Sequence, residues 1–226
     1  MSRGSESLSR APLFAELSAQ DVRALDSRCI WRKVNAGAWV IDDHADGMDV
    51  FFVVAGHARV VIGGSAREII LRDIFDGEFF GELSAIDRRP RSAGIIAITD
   101  TVVAQMPAKV FGEMIHLHPS VCDKVLATLA AAIRALNERV NEQVNLDAHD
   151  RLCLELLRLS RKAGEGRVVV SPPPTHAELA ARIGAHREAV TKFLSALQRE
   201  GAISRTRGAI ILTNPERLRA IAARLG

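Results

Sequence analysis

After Pro119 no Gly or Pro interrupts the chain as far as Asn145, and over that stretch Cys122, Val125, Leu129, Ala132, Leu136 and Val140 recur at three- and four-residue steps. That pattern is a long amphipathic helix. At 1.5 Å per residue, roughly 26 residues span about 39 Å, more than a small domain needs to cover itself. Such a helix either packs within its own chain or pairs with a second copy as a coiled coil across a two-fold axis. In both cases it divides the chain into a part before and a part after.

The part before has the texture of a β-domain. Residues 11–25 read as two short helices with Ser18 as an N-cap and Asp21 three residues on. From Ile30 to Met106 short β-branched runs such as residues 50–54 and 58–62 alternate with Gly37, Gly56, Gly63-Gly64, Gly77 and Gly94, as in a sandwich or barrel. The part after begins with a joint at Asn145–Asp150, where Asp147 and Asp150 are cap candidates. A helix from Arg151 to Lys162 follows, then a strand at residues 167–170 ended by Pro172-Pro173-Pro174.

Charge separates the same two parts. Residues 1–150 hold 16 Lys+Arg against 21 Asp+Glu, net −5, and residues 151–226 hold 14 against 6, net +8. A basic C-terminal third on a chain of overall charge +3 is the footprint of a segment that meets a polyanion. No apolar run is long enough to span a bilayer and no apolar segment follows the polar N-terminus, so a cytoplasmic protein with no membrane partner is expected. Cys29, Cys122 and Cys153 are odd in number and far apart, which predicts reduced, buried thiols rather than disulfides or a zinc site.

Two stretches carry chemistry. In residues 80–93, Gly81 permits close backbone approach, Glu82 offers a carboxylate to sugar hydroxyls, and Arg91 offers a fork to a phosphodiester, with Ser92 and Ala93 leaving room beside it. In residues 175–197, the capping box Thr175-His176-Ala177-Glu178 starts a helix that breaks at Gly184 and resumes at His186. On the second helix Val190, Phe193, Leu194 and Leu197 share one face, while Arg187, Glu188, Thr191 and Lys192 share the other. A turn between helices followed by a polar N-terminal face suits the major groove. Residues 202–212 then read as a hairpin whose tip carries Arg205 and Arg207, placed to rest on phosphates, and Asn214-Pro215 opens a closing helix ending near Leu225.

Residues 80–93 resemble the phosphate-binding cassette of cyclic-nucleotide-binding domains, and Arg187-Glu188-Ala189-Val190-Thr191-Lys192 resembles the recognition-helix motif of the cAMP receptor protein (CRP/FNR) family of bacterial transcription regulators. The resemblance implies an α+β chain: a jelly-roll β-roll sensor domain over 1–118, a dimerisation helix over 119–146 and a winged helix-turn-helix domain over 147–226. It implies an allosteric cyclic nucleotide, cAMP or cGMP, at Gly81, Glu82, Leu83, Arg91, Ser92 and Ala93, with Leu136 and Asn137 where the family contacts adenine. It also implies a homodimer on a palindromic duplex with GTGA/TCAC-like half-sites, read through Thr175, His186, Arg187, Glu188, Thr191, Lys192, Arg205 and Arg207, and contact with RNA polymerase.

Three departures stand out: Ala189 replaces a threonine, Lys192 replaces an arginine and so gives a point charge without the planar fork, and His186 sits where a capping serine is common.

Two other classes compete with this reading. A jelly-roll metalloenzyme needs a ligand set, and His116 with His118 is the close histidine pair, without a third ligand at a matching spacing. A haem or gas sensor would draw on His44, His57 or His116. The sequence shows no activated nucleophile and no paired carboxylates, so no enzymatic activity, metal or resident cofactor is expected.

Overall fold

The computed structural model describes residues 7–42, 45–63 and 68–222. The chain forms two compact units that divide between Ala131 and Ala132.

In the first unit, two 3-10 turns (Leu8–Arg10 and Pro12–Phe14) precede α1 (Ala19–Asp26), whose N-cap Ser18 accepts a bond from Asp21 N as the sequence suggests. Then come β1 (Ile30–Val34), β2 (Trp39–Ile41), β3 (Val50–Ala55), β4 (His57–Ile62), β5 (Ile69–Phe75), β6 (Phe79–Phe80), α2 (Glu82–Asp87), β7 (Gly94–Ala97), β8 (Thr101–Met106) and α3 (Ala108–Leu117). Among the described residues the strands make two antiparallel sheets, in the orders β1-β8-β3-β6 and β2-β7-β4-β5.

The apolar run on β3 explains how the layers stack. Phe51 and Val53 point into the core shared by both sheets, while Val50, Phe52 and Val54 point the other way, onto a core completed by Leu8, Leu13, Phe14, Phe111 and Met114. A strand covered on both faces has no polar face to show, hence its unbroken hydrophobicity. The register pairs Phe51 with Phe80 and Phe52 with Phe79, and the Phe51 and Phe80 rings stack at 5.3 Å. β6 thereby anchors the segment that follows it, residues 81–93, directly on the sandwich.

The long helix α4 runs from Pro119 to Asn145, the limits read from the sequence. Its apolar positions serve two purposes that the sequence pattern did not separate. Val121 and Val125 are buried in the first unit's core and Leu129 packs against it, whereas Leu126, Ile133, Leu136, Val140 and Val144 are 58%, 59%, 49%, 61% and 77% exposed.

The second unit contains α5 (Ala148–Leu159), β9 (Arg161–Lys162), β10 (Val168–Val170), α6 (His176–Ile183), α7 (Arg187–Arg199), β11 (Ile203–Arg205), β12 (Ile210–Leu212) and α8 (Pro215–Ala222). Among the described residues its sheet runs β11-β12-β10-β9, and helices and sheet share a core that includes Leu152, Leu156, Leu179, Leu194 and Ile203. α5 starts three residues earlier than expected because Asp147, not Asp150, is the cap: its carboxylate accepts from Asp150 N at 2.9 Å. Arg161 and Lys162, expected at the end of that helix, instead pair with Val169 and Val168 in the sheet.

The joint between α4 and α5 is thus only Leu146-Asp147, and it is braced. Leu146 is buried, and Arg151 bonds Leu146 O at 2.6 Å and Ile183 O at 3.0 Å. Beside it the buried Glu155 meets Arg158, Arg182 and Arg139 at 3.3, 3.5 and 3.8 Å, and Arg158 also pairs with Glu142. One carboxylate surrounded by three guanidiniums ties the last turns of α4 to α5 and α6.

Candidate functional site

The geometry of residues 81–93 depends on Gly81. It caps α2 in a left-handed conformation (φ 83°), and a Cβ there would lie 2.7 Å from Arg91 Nη1 and 2.8 Å from Asp49 O. Arg91 fills the space that the missing side chain leaves. Its Nη1 donates to Gly81 O at 3.0 Å and its Nη2 to Asp49 O at 2.8 Å, and its carbon centre sits 5.9 Å from the Phe51 ring centroid. A flexible side chain is thereby fixed before any ligand arrives, and these two bonds leave its other N–H donors unspent.

Glu82 is the first residue of α2 and half-buried. Burial pushes its carboxyl pKa above the usual 4.5, against the pull of Arg72 and Arg91. Arg91 shows the counterpart: burial lowers its pKa, while Asp49 and Glu82 act to raise it. The site holds one acid and one base, each partly desolvated, in each other's field. Among the expected ligand contacts, Leu83 is 46% exposed, Ser92 is exposed and Ala93 is half-buried. Leu136 and Asn137 stand exposed on α4, in the second unit.

The sequence reading missed Asp49. Its carbonyl holds Arg91 while its carboxylate accepts from Gln105 Nε2 at 2.7 Å. No sequence signal marks it, since a backbone carbonyl 42 residues away has no residue signature.

In the second unit Thr175 makes the capping box: Glu178 N donates to Thr175 Oγ1 at 3.1 Å, and Thr175 N donates to Glu178 Oε2 at 2.8 Å. Gly184 closes α6 in the left-handed region (φ 65°). On α7, Val190, Leu194 and Leu197 are buried and Phe193 half-buried, whereas Arg187, Glu188, Thr191 and Lys192 are exposed. His186 occupies the N-cap without a side-chain capping bond. The hairpin of β11 and β12 pairs Ile203 with Leu212 and Arg205 with Ile210, and Arg205 and Arg207 are exposed. A polar helix face and a hairpin bearing two arginines thus belong to one compact unit. A second residue missed by the sequence reading, His176, lies between them.

Of the histidines that a metal or haem site would draw on, His57, His116 and His118 are engaged within the protein. His57 stacks on Phe75 at 4.6 Å and lies 3.6 Å from Asp73, and His116 Nδ1 contacts Gly112 O at 2.6 Å. His118 caps α3, and His44 lies outside the described residues. Among the described residues, the one trio of potential metal ligands is Asp147, His149 and Asp150, and Asp147 there serves as the helix cap. Among the described residues, no helix is long and apolar enough to cross a membrane.

A β-sandwich with a pinned arginine near a carboxylate, together with a winged helix-turn-helix, is the layout of a DNA-binding regulator that carries a second, β-rich domain. Comparison with known proteins gives the family. Residues 31–118 match the model of the cyclic nucleotide-binding domain, and residues 150–221 match the Crp-like helix-turn-helix domain. The chain is 30% identical over 196 residues to the cyclic AMP receptor protein of Thermus thermophilus, covering 85% of this chain and 88% of that one. It is 27% identical over 219 residues to the CRP-like cAMP-activated global transcriptional regulator of Mycobacterium tuberculosis, covering 94% and 97%. A solved CooA mutant from Carboxydothermus hydrogenoformans shares the fold, with a TM-score of 0.80 and 19% identity over 94% of this chain and 95% of that one. The chain belongs to the CRP/FNR family of DNA-binding transcription regulators and carries that family's cyclic nucleotide-binding domain.

Proposed function

We propose that the protein is a homodimeric regulator whose affinity for operator DNA is set by a cyclic nucleotide, cAMP ahead of cGMP, bound at residues 81–93. The observation that carries this reading is the pre-set Arg91 guanidinium beside Glu82. A cyclic phosphate supplies the negative charge that satisfies Arg91, and a ribose hydroxyl supplies a proton to Glu82, whose charge burial leaves poorly solvated.

The order of the two nucleotides follows the relatives, two of which are named for cAMP, and Asn137, whose amide oxygen accepts from an adenine 6-amino group. Dimerisation rests on the uncovered stripe of α4, which a second copy of the same helix would bury as a coiled coil. On DNA, Arg187 forks onto guanine O6 and N7 and Glu188 accepts from cytosine N4, which favours GTGA/TCAC-like half-sites. A two-fold dimer places two such half-sites about 34–36 Å apart. RNA polymerase is the downstream partner such a regulator addresses.

The test is calorimetric titration of the protein with cAMP and cGMP, followed by operator titration with and without the nucleotide. Linkage requires that if nucleotide raises operator affinity by some factor, operator raises nucleotide affinity by the same factor. Equal operator affinity at zero and saturating nucleotide would overturn the gating.

A further inference from the structure

His176, the first residue of α6, is half-buried between two elements of the DNA-binding unit. Its Nδ1 lies 2.7 Å from Thr191 Oγ1 on α7, and its Nε2 lies 3.2 Å from Arg205 Nη2 on β11. The Thr191 hydroxyl donates its single proton to Arg187 O, 3.0 Å away in the preceding turn. With that proton spent, Thr191 Oγ1 can only accept from the histidine, so Nδ1 carries hydrogen. A guanidinium can only donate, so Nε2 must offer its lone pair to Arg205. Both neighbours require the same neutral tautomer, and the result is a continuous chain of donors from Arg205 through His176 and Thr191 to the backbone of Arg187.

We propose that His176 is a positioning residue for DNA recognition: it holds the Thr191 hydroxyl and the Arg205 guanidinium in one fixed arrangement, so that the reading face of α7 and the hairpin meet the duplex as a single surface. The inference rests on the DNA-binding reading above. Without His176, Thr191 and Arg205 lose their shared partner, and each must be ordered at the moment of binding at the cost of side-chain entropy.

The relay also depends on pH. The charged groups that act on the ring are Arg205 from β11 and Arg187 from α7, while Glu178 on its own helix is engaged with Thr175. A second ring proton would sit on Nε2, facing the N–H of Arg205. Burial, then Arg205 and Arg187, hold the His176 pKa below 6.5. The relay is therefore intact at neutral pH and is lost as pH falls through that lowered pKa.

The experiment uses the full chain with cAMP present and a duplex that the wild type selects from a randomised library. Affinity for that duplex and for an unrelated one is measured between pH 7.5 and 5.5. His176→Ala removes both contacts, His176→Asn restores an amide donor near the Nδ1 position, and His176→Gln restores a carbonyl near the Nε2 position. We expect His176→Ala to lower the ratio of selected to unrelated affinity by about ten-fold, near the low end of what one base contact is worth. His176→Asn should recover most of that ratio, whereas His176→Gln should recover affinity for both duplexes without the ratio. The wild-type ratio should fall on acidification, and the His176→Asn ratio should stay level.

A selective wild type with an unchanged ratio in a folded His176→Ala overturns the inference alone. Should His176→Ala fail to fold, the contrast between His176→Asn and His176→Gln decides in the same way. A wild type that selects no sequence overturns the DNA-binding reading and this inference with it.

Discussion

Gly81 and Arg91 occupy each other's space: the guanidinium donates to Gly81 O at 3.0 Å, and a Cβ on residue 81 would stand 2.7 Å from its Nη1. The pair behaves as one unit although ten residues separate its members. Arg91→Ala should abolish measurable binding of both cAMP and cGMP, since each charge-assisted bond lost is worth about 1.5–3 kcal/mol. Gly81→Ala should weaken both nucleotides in parallel, because it displaces the guanidinium and strains a backbone at φ 83°. Titration calorimetry checks both variants, and full affinity in Arg91→Ala would remove the site.

Glu82 makes a prediction about pH. Its pKa in the folded protein is raised by burial, so between 4.5 and that raised value the folded state holds a proton that the unfolded state has released. Stability of the nucleotide-free protein contributed by this group is therefore present at low pH and lost as pH rises through the raised pKa. Relative to wild type, Glu82→Gln should be the more heat-stable form above that window and show less change across it, while binding cyclic nucleotide more weakly. Thermal melts of both proteins across pH 4–8 read this out, and parallel curves would refute the assignment.

How far the sequence foretold this arrangement depends on which atoms carry it. The limits of α4 were legible because Pro119 can start a helix and nothing up to Asn145 breaks one. The capping box at Thr175 and the buried and exposed faces of α7 were legible for a similar reason, being local patterns of side chains. The tether of Arg91 to Asp49 O was not, because any residue presents the same carbonyl. The start of α5 was misplaced since Asp147 and Asp150 are both competent caps, and only the packing of Leu146 and Arg151 selects the first. The Glu155 cluster and the relay through His176 were invisible for a third reason: each joins side chains from three elements that meet only after the domain has folded.

On DNA, Arg187 and Arg207 should fail differently. Arg187 stands on the exposed face of α7, and Arg187→Ala should cost about 1–3 kcal/mol of discrimination at one base pair. Arg207 is exposed at the hairpin tip, and Arg207→Ala should weaken all duplexes alike and reduce the salt dependence of binding by about one ion. Binding-site selection and salt titrations separate the two, and identical behaviour of the variants would contradict the division of roles.

The uncovered stripe of α4 makes the proposed dimer testable without touching the monomer's core. Ile133 and Val140 are 59% and 61% exposed, so replacing both with Glu removes little packing within the chain. Each apolar anchor buried between two copies is worth roughly 1.5–3 kcal/mol, and the double variant should raise the dimer dissociation constant by about a hundred-fold or more. Sedimentation equilibrium reads the constant, with the melting temperature at low protein concentration as the control for folding. An unchanged association state would mean that the stripe is not the interface.

Under the proposed function Glu82 and Arg91 read only the ribose and cyclic phosphate that cAMP and cGMP share, so the choice between the two nucleotides would turn on side chains that face the base. An amide at residue 137, in that proposal, would accept from the adenine 6-amino group or, turned, donate to guanine O6, so the chemistry of Asn137 alone does not decide. Ser92 follows the arginine and is exposed, and in the same proposal its hydroxyl would serve either the phosphate or the guanine 2-amino group. The two roles give different signatures. If cAMP is the ligand, Asn137→Ala should weaken cAMP by about ten-fold, one hydrogen bond's worth near 1.4 kcal/mol, and leave the already weaker cGMP little changed. Ser92→Ala should weaken both nucleotides equally if the hydroxyl serves the phosphate, and cGMP alone if it reads the base. Calorimetry on the two variants with both nucleotides gives four affinities. An Asn137→Ala protein that keeps its full preference for cAMP over cGMP would place the reading of the base elsewhere in the chain.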